Sequence, residues 1–325
     1  MKKIVVLDAY TLNPLPVGEE SPIHPSWAEL AALGELTLYP RTSESEVVSR
    51  CADADLVLTN KAVINAAHLE ALPKLSYIGV LATGTNIVDL AAARSRNIPV
   101  TNAPGYSTMS VAQHVFALLF ELAARTGETD RAVKNGDWVR CPDFCFTVAP
   151  FFEMAGKNLG IVGFGEIGQA VARIGAALGM NILVHSRTQK PFDVPVEWVD
   201  LDTLWEKADV ITLHCPLTDS TKGLINAGSL AKIKNTAYLI NTGRGPLINE
   251  ADLATALKAG QIGGFGGDVL SKEPPTADNP LLTAPNTVIT PHIAWASVEA
   301  RKRLMGTVTA NIKSFFAGQP INVVN

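Results

Sequence analysis

The sequence predicts an α/β protein made of two doubly wound parallel-sheet domains. Three observations carry that reading. Short β-branched runs alternate with helical stretches along most of the chain, a second complete strand series begins near residue 157, and a glycine-rich turn stands where the first strand of that series meets its helix. At 325 residues the chain is about twice a typical single domain.

In the first hundred residues, 4–7, 36–39, 56–58, 77–81 and 100–101 read as strands of a largely buried parallel sheet. Residues 26–33, 43–51 and 65–72 have helical spacing between them, which implies right-handed crossovers. A break at Thr101-Asn102-Ala103-Pro104-Gly105 precedes the longest helical pattern, 110–125, with Val111, Val115, Leu118, Leu119 and Leu122 apolar. Thr126-Gly127 should end it as a C-cap glycine does. The second series has six predicted strands, 159–162, 181–185, 210–214, 237–241, 265–269 and 287–290, enough for a dinucleotide-fold sheet. The final helical stretch, 298–316, is too short to form a domain and should pack back on the first one. The expected division is 1–104 with 293–325, and 105–292.

Composition narrows the function. Hydrophobic residues are 47% and charged residues 18%, an ordinary globular mixture, and a net charge of −4 without blocks of like charge argues against nucleic acid or an acidic membrane as partner. Four cysteines, Cys51, Cys141, Cys145 and Cys215, are too few for a disulfide framework, and no metal-ligand spacing occurs. The apolar run after Met1-Lys2-Lys3 meets Asp8 after four residues, too short for a secretory signal, and no stretch reaches membrane-spanning length. A cytoplasmic protein is expected.

Gly163-Phe164-Gly165-Glu166-Ile167-Gly168 matches G-x-G-x-x-G between a strand and a helix. Gly163 permits a tight turn, Gly165 lets the backbone approach a pyrophosphate, and Gly168 lets helix and strand pack closely. The helix N-terminus then offers N–H groups to the phosphates. The acid that usually reads the ribose of NAD is missing, and His185-Ser186-Arg187-Thr188-Gln189-Lys190 occupies that turn. Ser186 and Arg187 suit a 2′-phosphate; the alternative is a solvated basic turn. The cofactor is expected to be NAD or NADP, with NADP modestly favoured.

Three polar segments follow at strand ends, where parallel α/β sheets bind ligands: Asn241-Thr242-Gly243-Arg244-Gly245, 268–274 and 290–295. Arg244 can hold a carboxylate, His292 can move a proton, and Glu273 can orient the imidazole and favour its charged form.

With these residues, and with His214-Cys215-Pro216-Leu217-Thr218, the chain resembles the D-isomer-specific 2-hydroxy acid dehydrogenases over nearly its full length, most closely the glycerate dehydrogenase/hydroxypyruvate reductase group. The resemblance implies a flavodoxin-like substrate domain and a Rossmann cofactor domain, with a cleft between them. It assigns Arg244 to the substrate carboxylate and carbonyl, His292 to acid/base work and Glu273 to the support of His292. It suggests that Thr83 and Gly84 bind the carboxylate through their backbone, with Asn60, Lys61 and Trp295 lining the same site. Cys215, Pro216, Thr242, Gly243 and Asp268 would border the nicotinamide. Gly243 stands where the family often has Ala. A homodimer carried by the 110–125 helix and its flanks is also implied.

Other conspicuous residues have plainer readings. His114 reads as an interface or capping group, His24, His68 and His185 lack partners at metal spacing, and Asp89 suits a first helical turn. Trp138 and the 141–146 segment read as packing or as a cleft edge. Three functional alternatives stay open: a D-lactate enzyme, a phosphoglycerate enzyme, and a dinucleotide-sensing protein on the same fold. Trp295 favours the glycerate group over the first. The second usually carries a C-terminal extension beyond a position such as Asn325, and here only Lys61 could meet a substrate phosphate.

Overall fold

The computed structural model describes residues 1–19 and 21–325. The chain divides into two compact units, Met1–Ser107 with Trp295–Asn325, and Thr108–Ala294. Both junctions fall a few residues after the expected 104 and 292.

In the first unit, β1 (Lys3–Val6), β2 (Glu35–Leu38), β3 (Leu56–Thr59), β4 (Tyr77–Val80) and β5 (Val100–Thr101) form a parallel sheet in the order β2-β1-β3-β4-β5. β3 and β4 are buried along their whole length, as strands covered on both faces must be, so they read as continuous apolar runs. One face packs Ile4, Val6, Leu56 and Leu58 against Trp27 and the helix Val298–Phe316. That helix contributes Leu304, Met305, Val308 and Ile312, each worth roughly 1.5–3 kcal/mol on burial, and Phe315 sets its ring 4.9 Å from that of Tyr77. The opposite face packs Val5, Val57, Ile78 and Val80 against Val47, Leu69 and Ala93.

The second unit holds β6 (Asn158–Val162), β7 (Asn181–His185), β8 (Glu197–Trp198), β9 (Val210–Leu213), β10 (Tyr238–Asn241), β11 (Gly264–Gly267) and β12 (Thr287–Ile289). They form one parallel sheet in the order β12-β11-β10-β9-β6-β7-β8. The sheet has seven strands where the sequence predicted six. The extra strand, β8, is two residues long and pairs only with β7, too short to show any periodicity. Strand order reverses between β1 and β3 in the first sheet and between β6 and β9 in the second, and such reversals leave crevices at the carboxyl ends of the strands.

The helix Thr108–Ala124 lies close against β11 because that strand is almost side-chain free. A Cβ on Gly266 would fall 3.0 Å from Cβ of Leu118 and 2.8 Å from Cδ1 of Ile240, and one on Gly264 would fall 3.2 Å from Cδ2 of Leu122. The helix does not end as expected at a glycine. Arg125 itself takes the left-handed conformation, at φ 51°, and the next helix, Thr126–Lys134, contains Gly127 in its first turn. The arginine is held there by bonds to Glu128 Oε2 at 3.2 Å and Asn286 Oδ1 at 2.9 Å. The packing expected of Trp138 and the 141–146 segment is not seen within this unit: Trp138 is 51% and Phe144 89% exposed, although Trp138 Nε1 donates to Phe144 O at 3.0 Å. Among the described residues, no helix is long and apolar enough to cross a membrane.

Candidate active site

The loops leaving β6 and β9 abut where the strand order of the second sheet reverses. Gly163 has φ +95°, and a Cβ there would lie 2.5 Å from Cys215 N and 2.6 Å from the carbonyl carbon of His214. A Cβ on Gly168 would lie 2.2 Å from Gly163 O. Packing therefore demands glycine at both positions. At Gly165 it does not, since a Cβ would meet nothing within 4 Å. The open space above Gly165 is what a pyrophosphate needs to approach the backbone. Gly165 is the N-cap of the helix Glu166–Ala177, and no side chain caps it, which leaves the leading N–H groups to an anion. Glu166 turns aside to accept from Thr108 Oγ1 at 3.1 Å. Phe164 and Ile167 pack instead: the Phe164 ring lies edge-on to Phe192 at 4.8 Å and Trp198 at 5.2 Å, and Ile167 joins the core beneath.

A cavity of about 440 Å³ runs from this turn past Ser186 and Arg187 to Cys215 and Pro216. Its lining includes two cations, Arg187 and Lys190, and no carboxylate. His214 also lines it, and burial pushes its imidazole down to about 4, so that ring adds no charge at neutral pH. Burial likewise raises the Cys215 thiol, which keeps it protonated and weakly nucleophilic. Thr242, just past β10, has a buried hydroxyl with no protein partner. A dinucleotide fits this set: an open cradle at Gly165, an uncapped helix start and a cavity that joins the glycine turn to the 186–190 and 214–216 turns.

Arg244, Glu273 and His292 follow β10, β11 and β12 in turn. The Asn241 side chain braces the first segment, accepting from Gly243 N and donating to Arg244 O, both at 3.0 Å. Gly243 has a half-buried backbone there, and Arg244 is exposed with Nη1 donating to Gly243 O at 2.8 Å. Gly245 touches the second segment so closely that a Cβ would lie 2.0 Å from the carbonyl carbon of Leu270. Glu273 accepts from Leu270 N through Oε1 at 3.1 Å, and from His292 Nδ1 through Oε2 at 2.6 Å. Because a carboxylate only accepts, Nδ1 carries a proton, and Nε2 is the atom through which the ring can pass another.

Beneath this pair lies Asp268, 1% exposed. Its Oδ1 accepts from Thr290 Oγ1 at 2.6 Å and Ile293 N at 2.9 Å, and its Oδ2 from Ala294 N at 2.8 Å. Its backbone carbonyl accepts from His292 N at 2.8 Å, and its own N–H donates to Asn241 O at 2.9 Å. His292 sits at φ 56°, a left-handed conformation costing on the order of 1–3 kcal/mol for a residue with a side chain. The bonds to Asp268 on both sides of it offset that cost.

In the first unit the strand-order reversal is organised by Asp8. Its carboxylate accepts from the backbone N–H groups of Asn60 at 2.7 Å, Ala62 at 2.8 Å and Lys61. Asn60 is buried and donates to Leu81 O at 2.6 Å, while Lys61 is exposed. Thr83 donates to Ala103 O at 2.9 Å, and Gly84 follows it on the same exposed turn. Trp295 is half-buried, edge-on to Tyr106 at 6.4 Å, with the Arg301 guanidinium 5.8 Å from its ring centre.

Residues 116–294 match the family model described as the D-isomer specific 2-hydroxyacid dehydrogenase NAD binding domain. The chain belongs to this dehydrogenase family. It is 45% identical to a hydroxypyruvate reductase of Blautia hydrogenotrophica over 99% of both chains. It is 44% identical to a glycerate dehydrogenase of Methylorubrum extorquens, covering 86% of this chain and 88% of that one. Among solved structures, it resembles an NADPH-dependent glyoxylate/hydroxypyruvate reductase from Sinorhizobium meliloti in complex with NADP and malonate, with a TM-score of 0.82 and 29% identity, covering 99% of this chain and 96% of that one. The protein is thus an NAD(P)-dependent oxidoreductase of the 2-hydroxyacid dehydrogenase family, and its two parallel sheets are those of the family's fold.

Some residues that shape this dehydrogenase site escaped sequence reasoning. Asp8 registered only as the end of an apolar run, although an acid directly after the first strand of a parallel sheet stands where that sheet binds ligands. His114 read as an interface or capping group, yet its Nε2 lies 2.8 Å from Thr290 Oγ1. Only the tertiary fold brings that helix to the turn carrying His292.

Proposed function

We propose that the protein reduces small 2-oxo acids, hydroxypyruvate or glyoxylate, to D-glycerate or glycolate. The 2.6 Å contact between Glu273 and His292, on the same sheet edge as Arg244, carries this reading. The relatives' own activities, hydroxypyruvate reduction and glycerate oxidation, support the substrate class. The bound nicotinamide supplies the hydride. Arg244 binds the carboxylate and carbonyl through its planar fork, fixing the carbonyl carbon in place and stabilising the charge that develops on its oxygen. His292 gives that oxygen a proton from Nε2, and Glu273, accepting from Nδ1, keeps the imidazole oriented. The substrate gains one hydride at carbon and one proton at oxygen, becoming the hydroxy acid. From the first unit, Asn60, Lys61, Thr83, Gly84 and Trp295 are the proposed substrate contacts. Cys215, Pro216, Thr242, Gly243 and Asp268 are proposed to surround the nicotinamide, Asp268 through its backbone.

Cofactor choice is proposed to favour NADP modestly. Arg187 and Lys190 line the cavity without a neighbouring acid, and Ser186 neither accepts the ribose hydroxyls strongly nor repels a 2′-phosphate. Both cations are exposed, so salt screens much of their effect. A homodimer is proposed as well. Its support is the run of exposed apolar side chains Trp138, Val139, Phe144, Phe151 and Phe152, too many in one stretch for a surface meant for water alone.

Oxidation of NADPH in the presence of hydroxypyruvate tests the activity directly. His292→Ala should lower kcat about 10²–10⁴-fold, and Arg244→Ala should also raise KM for the oxo acid because it removes a bidentate partner. Near wild-type rates in either variant would exclude the assignment. For the cofactor, Ser186→Asp should shift kcat/KM towards NADH, and Arg187→Ala should weaken NADPH more than NADH. An unchanged NADPH/NADH ratio in Arg187→Ala would mean that its side chain serves only the solvent. Light scattering should give twice the 34.6 kDa chain mass, and a single-chain mass would refute the dimer.

A further inference from the structure

The turn 290–294, which carries His292, is gripped by the helix Thr108–Ala124 at two points one helical turn apart. Ser110 Oγ donates to Ala294 O at 2.6 Å, and His114 Nε2 lies 2.8 Å from Thr290 Oγ1. Residues 110 and 114 share one helix face, together with Leu118 and Leu122. That face reaches the turn because Gly264 and Gly266 let the helix settle onto β11.

The hydroxyl of Thr290 fixes the direction of these bonds. It has one proton, and the Asp268 carboxylate, an acceptor only, takes it at 2.6 Å. Towards His114 the hydroxyl must therefore accept, so His114 Nε2 carries a proton. The same Nε2 stands 3.5 Å from Asp268 Oδ1, so its N–H also faces the carboxylate. Asp268 in turn holds Ile293 N, Ala294 N and, through its carbonyl, His292 N.

We infer that His114 is a positioning residue: its Nε2–H, acting through Thr290 and Asp268, keeps the turn in the conformation that presents the His292 imidazole to Glu273 and to substrate. The inference rests on the proposed acid/base role of His292. His114 touches neither substrate nor reacting atoms. Its effect falls on the rate of proton delivery rather than on binding, because the side-chain bonds that brace the Arg244 segment come from Asn241 and not from Thr290 or His114.

The test compares His114→Leu with His114→Gln, whose amide can place an N–H near the position of the imidazole Nε2. His114→Leu should lower kcat at least about tenfold with KM for hydroxypyruvate and affinity for NADPH nearly unchanged, and His114→Gln should restore most of that loss. A purely structural role would harm both variants alike, so equal impairment overturns the inference, as does wild-type activity in His114→Leu. Placing His114→Leu on a His292→Ala background separates the two claims. If His114 acts through His292, it costs nothing further there; an additional tenfold loss sinks the inference. Full activity in His292→Ala alone would instead remove the reading beneath it. Should His114→Leu not fold, Thr290→Val against Thr290→Ser makes the same comparison at the hydroxyl, with loss in the first and rescue in the second expected. Nitrogen-detected spectra of labelled histidine in the intact wild-type protein, at a pH where the ring is neutral, should show the Nε2–H tautomer for His114. The Nδ1–H tautomer contradicts the inference whatever the activities.

Discussion

The carboxylate of Asp268 is the constraint on which the rest of the site depends. Buried, it needs several hydrogen bonds, and it finds them in one hydroxyl and two backbone N–H groups of the 290–294 turn. Its backbone continues the same work, towards Asn241 on one side and His292 on the other. One residue thus ties together the loops that follow β10, β11 and β12, which carry Arg244, Glu273 and His292. An unpaired carboxylate in this position would cost far more than the left-handed backbone at His292, so the turn has little freedom to relax. The proposed catalytic imidazole is preorganised by what lies under it as much as by its partner Glu273.

A second constraint is topological. Each sheet reverses its strand order once, and each reversal gathers polar groups at strand ends: Asp8 with the backbone of 60–62 in the first unit, the glycine turn against His214-Cys215 in the second. The glycines divide by cause. Gly163, Gly168 and Gly245 are required by neighbouring backbone, Gly264 and Gly266 by the neighbouring helix together with Asn286 O and the Ile240 side chain, and Gly165 by no protein atom at all. At Gly165 that open space lies beside an uncapped helix start, where an anion can approach the backbone.

Much of this was legible in the sequence, and its limits have physical reasons. The buried strands announced themselves as apolar runs, and the dinucleotide turn by its glycines between strand and helix. Arg244, Glu273 and His292 could be named because each follows a strand end in an ordered motif. β8 could not, since two residues carry no period. The glycine stop at Gly127 failed because Arg125 took the left-handed position, held in part by a side-chain bond to Asn286, far off in sequence. Trp138 and Phe144 read as packing because apolar residues usually are buried, whereas one chain leaves them uncovered. The tie from His114 through Thr290 to Asp268 joins residues more than a hundred positions apart, where local pattern says nothing.

The most direct test of this account is the single-turnover rate of NADPH oxidation by hydroxypyruvate in Asp268→Asn, measured beside NADPH affinity. The substitution keeps the shape but sets an NH2 group or a weaker acceptor against donors that now face a charged carboxylate. Hydrogen bonds to charged groups are worth about 1.5–3 kcal/mol, so the rate should fall roughly 10- to 100-fold while NADPH binds with nearly unchanged affinity. A rate equal to that of the natural protein would show that the turn carrying His292 is held by something other than Asp268.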